Sequence, residues 1–363
     1  MNSSLKLILF FLGTFLATLA LMIVLLEFSR TLGIRGNNNT DKRWSKSSKP
    51  SLGGIAIFLS VFFSLITYLI SHPLENVFSD SSFVYFFVGM CLAFFMGLSD
   101  DAFDTKPLIK LTAQIFCGLL IGFSKKLIPV SEVESINLMV TVLWTVGVMN
   151  SLNMLDNMDG IAASIATSAL INFICISLFF CNHVSDIYLF LLIGFIGATA
   201  SFLTFNKPPS KLFMGDSGSQ LIGYVLAYFS VFILWDEKGI SEIPFWVATL
   251  ILMMILAMPF IDTFTVVYNR VKRGASPARG GKDHTTHHLV YSGYSEFQVW
   301  LIFTAFSFTL GGLGLVMLCL YSAGAGYWIL ALFFPLIIAF YYFFRRTHVF
   351  TPPASKSSSD TNS

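Results

Sequence analysis

Charge is what this chain has least of. Asp, Glu, Lys and Arg make up only 12% of its 363 residues, about half the share of an ordinary soluble domain, which excludes a normal water-exposed surface. Cysteine is also sparse. Cys91, Cys117, Cys175, Cys181 and Cys319 lie in or at the ends of apolar runs with no metal-like spacing, so they read as small hydrophobes. The sequence offers no soluble domain and no repeat, and no small-residue cleavage pattern follows its first apolar run, which is therefore kept as a helix.

What is abundant is apolar length. The chain is 55% hydrophobic with 39 Phe and a mean hydropathy of +0.74, the composition of an all-α polytopic membrane protein. Taking about 20 apolar residues per span, eleven runs qualify: Leu5 to Phe28, Leu52 to Ser71, Phe83 to Leu98, Leu108 to Phe123, Ile136 to Met149, Ile161 to Cys181, Ile187 to Phe205, Leu221 to Trp235, Phe245 to Tyr268, Val299 to Tyr321 and Tyr327 to Phe344. With the N-terminus outside, 18 of the 22 Lys and Arg fall in the inside loops and tail, the bias that fixes topology by the positive-inside rule. The domain reading is one integral membrane unit over 1–350 and a disordered polar tail over 351–363.

The polar residues cluster at the inside ends of these runs. Asn153, Asp156 and Asp159 are spaced three apart, so on a helix their oxygens fall near one face, able to converge on a cation; the plainer reading caps a helix near Gly160. The adjacent Asp100 and Asp101 repel unless a cation holds both ionised, which suits Mg²⁺ or a phosphate-bearing partner, or they are a solvated loop. Gly53-Gly54 lets backbone N–H groups approach a ligand or lets helices pack closely. Gly215-Asp216-Ser217-Gly218-Ser219 sets a carboxylate at a helix start, an anion and metal setting or a cap, with Lys207 and Lys211 nearby. Asp262 lies about two turns deep in its helix and is a functional candidate or a bond to a neighbour. His284, His287 and His288 lack the Cys or HExxH of a zinc site and, with the Arg residues of their loop, suit phosphates.

Taken in order, these clusters resemble those of the polyprenyl-phosphate N-acetylhexosamine-1-phosphate transferases, over essentially Pro50 to Gly293. The resemblance implies a cytoplasmic-face site in a bacterial inner membrane that moves a sugar-1-phosphate, by default N-acetylglucosamine-1-phosphate, from a UDP-sugar to undecaprenyl phosphate and releases UMP, the first membrane step of a cell-surface polysaccharide. It implies Mg²⁺, with Mn²⁺ as a substitute, no nucleic acid, and leaves room for a homodimer. Asp100, Asp101 and Asp156 would be catalytic, and Asp216 with Asn153 would hold the metal. Asp159, Asn206 and Phe213 would contact uridine, and Ser219, Arg279, His284, His287 and His288 the substrate. One departure stands out. Aligned on His287-His288, the family's His-x-His-His run has Thr285 in place of its first His, with His284 one position away, so His287 and His288 are the better matches.

Two other classes fit the composition. A transporter or flippase would use Asp262 and many helices, but such sites usually lie near the midplane on broken helices. A lipid phosphatase with a His nucleophile would need no nucleotide, so UMP release separates it.

Overall fold

The computed structural model describes residues 3–31, 49–73, 76–181, 184–235, 243–277 and 280–349. The polar tail over 351–363, most of the first basic loop and Arg279 lie outside the described residues.

Each of the eleven apolar runs is helical. The helices are α1 (Ser3–Thr31), α2 (Gly53–Ser71), α3 (Ser81–Phe103), α4 (Pro107–Phe123), α5 (Glu134–Leu155), α6 (Ile161–Phe179), α7 (Asp186–Asn206), α8 (Gly215–Leu234), α9 (Phe245–Ile255), α10 (Ala257–Lys272), α11 (Thr285–Tyr291), α12 (Glu296–Ser322) and α13 (Phe334–Val349). Among the described residues, nine segments are long and apolar enough to cross a membrane, the last joining a short 3₁₀ turn to α13, so the chain is a multi-pass membrane protein. Two runs differ from a plain span. The 17-residue α4 is about 25 Å long, short of a full crossing. The run expected as one helix through Tyr268 is broken, with α9 and α10 bent by 79°. Pro259 explains the break: it lacks an N–H and its ring crowds the carbonyl four residues back, that of Ile255, where α9 ends.

Helix ends carry their own signals. Asp80 caps α3, accepting from the Ser82 N–H at 2.9 Å, and Pro107 opens α4, where a missing N–H costs nothing. Ser295 and Gln298 form a reciprocal capping box at α12.

The buried α8 is the axis of the bundle, and a helix apolar on all sides belongs at the centre. It packs against α2, α3, α5 and α6. Small residues set the closest approach: a methyl group at Gly54 would lie 2.2 Å from the Gly218 nitrogen, and one at Gly97 would lie 2.3 Å from the Asp216 carbonyl oxygen. The N–H groups of Gly53 and Gly54 are spent on the Phe213 and Met214 carbonyls at 3.0 and 2.8 Å. Their role is therefore packing and backbone pairing, and the ligand-approach reading of this pair falls. The pairing also brings the segment before α2 alongside the segment before α8, so that Lys49 and Phe213 become neighbours.

Candidate functional site

The ends of α3, α5, α7 and α10 and the starts of α4 and α8 meet around one cavity of about 910 Å³, lined by Asp100, Asp101, Asn153, Asp156, Asp159, Asn206, Phe213, Asp216 and His284 among others. Residues more than 180 positions apart thus share one wall. Ser219, His287 and His288 do not line it.

Asp100, Asn153 and Asp216 are brought together by Lys110. The Lys110 Nζ donates to Asp100 Oδ2 at 2.8 Å and to Asn153 Oδ1 at 3.0 Å, and lies 3.5 Å from Asp216 Oδ2. Asp100 Oδ1 accepts from the Thr105 N–H and hydroxyl at 3.0 and 2.6 Å. Asn153 donates from Nδ2 to Asp216 Oδ1 and to Ser219 Oγ at 2.8 Å, so Ser219 stands behind the wall as a support. Helix α5 continues through Leu155, which places Asn153 in its last turn and Asp156 at its end.

Asp159 points elsewhere, so the three-spaced Asn153, Asp156 and Asp159 do not converge on one cation. Asp159 Oδ2 accepts from the Ser210 N–H at 2.8 Å and from Lys49 Nζ at 3.2 Å. Lys49 also lies 5.2 Å from the centre of the Phe213 ring, a cation over an aromatic face. Asn206 Oδ1 accepts from the Gly160 N–H, and its Nδ2 donates to the Leu212 carbonyl, both at 3.0 Å. Its amide therefore ties the Gly160 turn to the segment before α8. Neither capping reading holds: no side chain caps α6, whose N-cap is Gly160, and Asp216 caps nothing at α8.

The group that does serve α8 is Asp101. Its two carboxylate oxygens accept from the Asp216 and Ser217 N–H groups at 2.9 and 3.0 Å, an anion on a helix N-terminus. Gly215, at φ +76°, makes this approach possible, since a methyl group there would meet Asp101 Oδ2 at 2.6 Å.

The histidines divide differently from expectation. His284 reaches the cavity, while His287 and His288 are buried behind it, so the two better sequence matches are the ones withdrawn from the wall. The fully buried Asp262 pairs with His284 Nδ1 at 2.8 Å and accepts from the Thr285 N–H and hydroxyl at 2.8 and 2.5 Å. Thr285 thus bonds the carboxylate that docks this turn onto α10. Thr286 donates to Asn157 Oδ1 at 2.6 Å, fixing α11 to the end of α5. Burial and the neighbouring His284 push the His287 pKa down to about 3, against the weaker pull of Asp262, the Asn157 backbone and Asp283. Burial disfavours ionisation of Asp283, but hydrogen bonds and charge from Arg270, with His284 and Arg273, outweigh it and hold the carboxyl below its ordinary range. Arg270 grips it with two bonds, at 3.0 and 2.7 Å, and donates to the Pro277 carbonyl at 2.8 Å.

Sequence reading missed Lys49, Lys110 and Arg270 as site residues. It looked instead to Lys207 and Lys211, which stay off the cavity wall. The only early signal was position, since all three lie at the ends of apolar runs.

Among the described residues no group of three His, Cys, Asp or Glu side chains surrounds a metal position. The donor set that does converge is two carboxylates and an amide oxygen around an ammonium. Hard oxygens in that number fit Mg²⁺, which is usually held by one or two carboxylates and keeps several waters.

Among the described residues, a bundle of apolar helices thus carries an acidic, lysine-bridged cavity at its end, which defines the class as a multi-pass membrane protein with a polar site. Comparisons with known proteins find similar chains. Residues 83–234 match glycosyl transferase family 4. The chain is 26% identical over 256 residues to the probable undecaprenyl-phosphate N-acetylglucosaminyl 1-phosphate transferase of Bacillus subtilis, covering 68% of this chain and 67% of that one. It is 28% identical over 283 residues to the decaprenyl-phosphate N-acetylglucosaminephosphotransferase of Mycobacterium tuberculosis, covering 70% and 68%. With the undecaprenyl-phosphate alpha-N-acetylglucosaminyl 1-phosphate transferase of Escherichia coli it shares 23% identity over 343 residues, 90% and 87% of the two chains. The relatives found are of the family that the motifs resemble, and the chain is similar to these transferases at 23–28% identity.

Proposed function

We propose that the chain transfers N-acetylglucosamine-1-phosphate, or a related N-acetylhexosamine-1-phosphate, from a UDP-sugar to undecaprenyl phosphate on the cytoplasmic side of a bacterial inner membrane, beginning a cell-surface polysaccharide. The observation that carries this reading is the convergence of Asp100, Asn153 and Asp216 on the Lys110 ammonium in a cavity that Asp159 and Phe213 also line, with Lys49 beside the Phe213 ring. The relatives' names supply the lipid and the sugar phosphate.

In the reaction an oxygen of the lipid phosphate bonds to the sugar-bearing phosphorus, and the bond from that phosphorus to the bridging oxygen of UMP breaks. The lipid phosphate is already ionised near neutral pH, so no base has to deprotonate it. Phosphoryl transfer asks mainly for positioning and charge neutralisation. Asp216 and Asn153 would hold Mg²⁺, which when bound neutralises the charge of the diphosphate. Phe213 offers an aromatic face to the uracil, with Asp159 and Lys49 as polar partners and Asn206 keeping their loops together. Arg270 and His284, locked by Asp283 and Asp262, present fixed donors toward the sugar or its phosphates.

The placement also speaks against a transporter. The break between α9 and α10 follows from Pro259, and the polar groups gather at one end of the bundle. The test is to incubate purified protein in detergent with undecaprenyl phosphate and a panel of UDP-sugars, with and without Mg²⁺. UMP release that needs both lipid and metal is expected, and no UMP from any donor would overturn the proposal.

A further inference from the structure

Lys110 Nζ sits at the centre of the oxygen set described above. Its ammonium has three N–H bonds, and three oxygens surround it, Asp100 Oδ2, Asn153 Oδ1 and Asp216 Oδ2, at 2.8, 3.0 and 3.5 Å. The three come from α3, α5 and α8, and Lys110 itself from α4. The Lys110 side chain retains 16% of its exposure and that of Asp100 only 10%, so water does little to screen the contact. In this position the ammonium has no proton left over for a substrate phosphate.

Mg²⁺ seeks the same hard oxygens. Two cations sharing three oxygens a few ångströms apart would repel, and without either one Asp100 and Asp216 would repel each other. We propose that Lys110 and the divalent metal compete for one set of oxygens. Lys110 keeps the metal-free site assembled, and metal binding releases its ammonium into the cavity, where it can pair with a phosphate. Lys110 is then a positioning residue in the metal-free protein and a phosphate ligand only in the loaded one. This rests on the transferase reading for the presence of a metal, but not on the identity of the sugar.

The experiment measures Mn²⁺ binding to the full chain in detergent, without substrates, by the spin-resonance signal of free Mn²⁺. Wild type is compared with Lys110→Met and with Lys110→Gln, which keeps a polar side chain should the methionine variant fold poorly. Each folded variant should bind Mn²⁺ at least about tenfold more tightly than wild type, equivalent to 1.4 kcal/mol. Each should also melt lower than wild type without metal and regain the difference when Mn²⁺ is added. A lysine that only braces the helices would give the lower melting point without tighter metal binding. Equal or weaker Mn²⁺ affinity in the folded variants, or no Mn²⁺ binding by any of the proteins, overturns the competition. Tighter binding in the variants while wild type releases no UMP from any donor would leave the competition standing and remove the transferase reading.

Discussion

Asp216 sits in the first turn of α8 with one oxygen held by Asn153 and the other facing Lys110, so it has a fixed direction and a charge as its contribution. Asp216→Asn keeps the shape and removes the charge. If Asp216 holds the ion that neutralises the diphosphate, the rate should fall on the order of 10²-fold or more, roughly 3 kcal/mol, with the melting temperature little changed. Turnover at wild-type rate with unaltered Mg²⁺ dependence would remove Asp216 from the metal. His287 makes a different kind of prediction. It is 1% exposed and its pKa lies near 3, whereas in the unfolded chain it titrates near 6.5. From pH 6.5 down to 3 the unfolded state therefore binds more protons at this position, and stability falls as the pH falls. Between pH 7 and pH 5 the loss should be on the order of 2 kcal/mol, and His287→Asn should flatten the slope of melting temperature against pH in that window. An unchanged slope would mean that His287 is not buried neutral.

At the level of elements, the N-terminus of α8 is held from outside by Asp101, which takes two of its N–H groups. Asp101→Asn replaces one acceptor with a donor facing an N–H, so a charge-assisted bond worth roughly 1.5–3 kcal/mol is lost. Thermal unfolding should show that loss in Asp101→Asn and not in Asp216→Asn, while both lose transferase activity. Equal melting points for Asp101→Asn and wild type would mean that the cap is not formed. This division between two adjacent carboxylates was not legible in the sequence, where Asp100 and Asp101 look alike; it depends on which one the incoming α8 meets. The helices themselves were legible, because a run of apolar residues of membrane length leaves the backbone one way to satisfy its hydrogen bonds. The break after Ile255 was missed although Pro259 was in plain view, because hydropathy averages over a proline and the clash that ends α9 acts four residues upstream. The cations of the site were hidden for another reason. Lys49 reaches Asp159 across 110 positions, and only the pairing of Gly53 and Gly54 with the segment before α8 brings those loops together.

On the scale of the whole molecule, the cavity lies at the end of the bundle where the basic residues are concentrated, 18 of 22 by loop alternation, and the proposed reaction depends on that end facing the cytosol. A soluble nucleotide sugar arrives from the cytosol and a lipid phosphate head waits at the inner leaflet, so a cavity facing the other way would meet only one of its substrates. Two exposed positions read the two ends: Lys211 between α7 and α8, and Glu132 between α4 and α5. Neither side chain takes part in the site, and neither lies at a strained turn. In a background with the five native cysteines replaced, Glu132→Cys should react with a membrane-impermeant maleimide in intact spheroplasts. Lys211→Cys should react only after the membrane is opened. The reverse pattern would invert the bundle and take the transferase proposal with it. Labelling of both positions in sealed spheroplasts would mean that α5, α6 and α7, the three helices between them, do not put them on opposite sides, so that one of these three fails to cross.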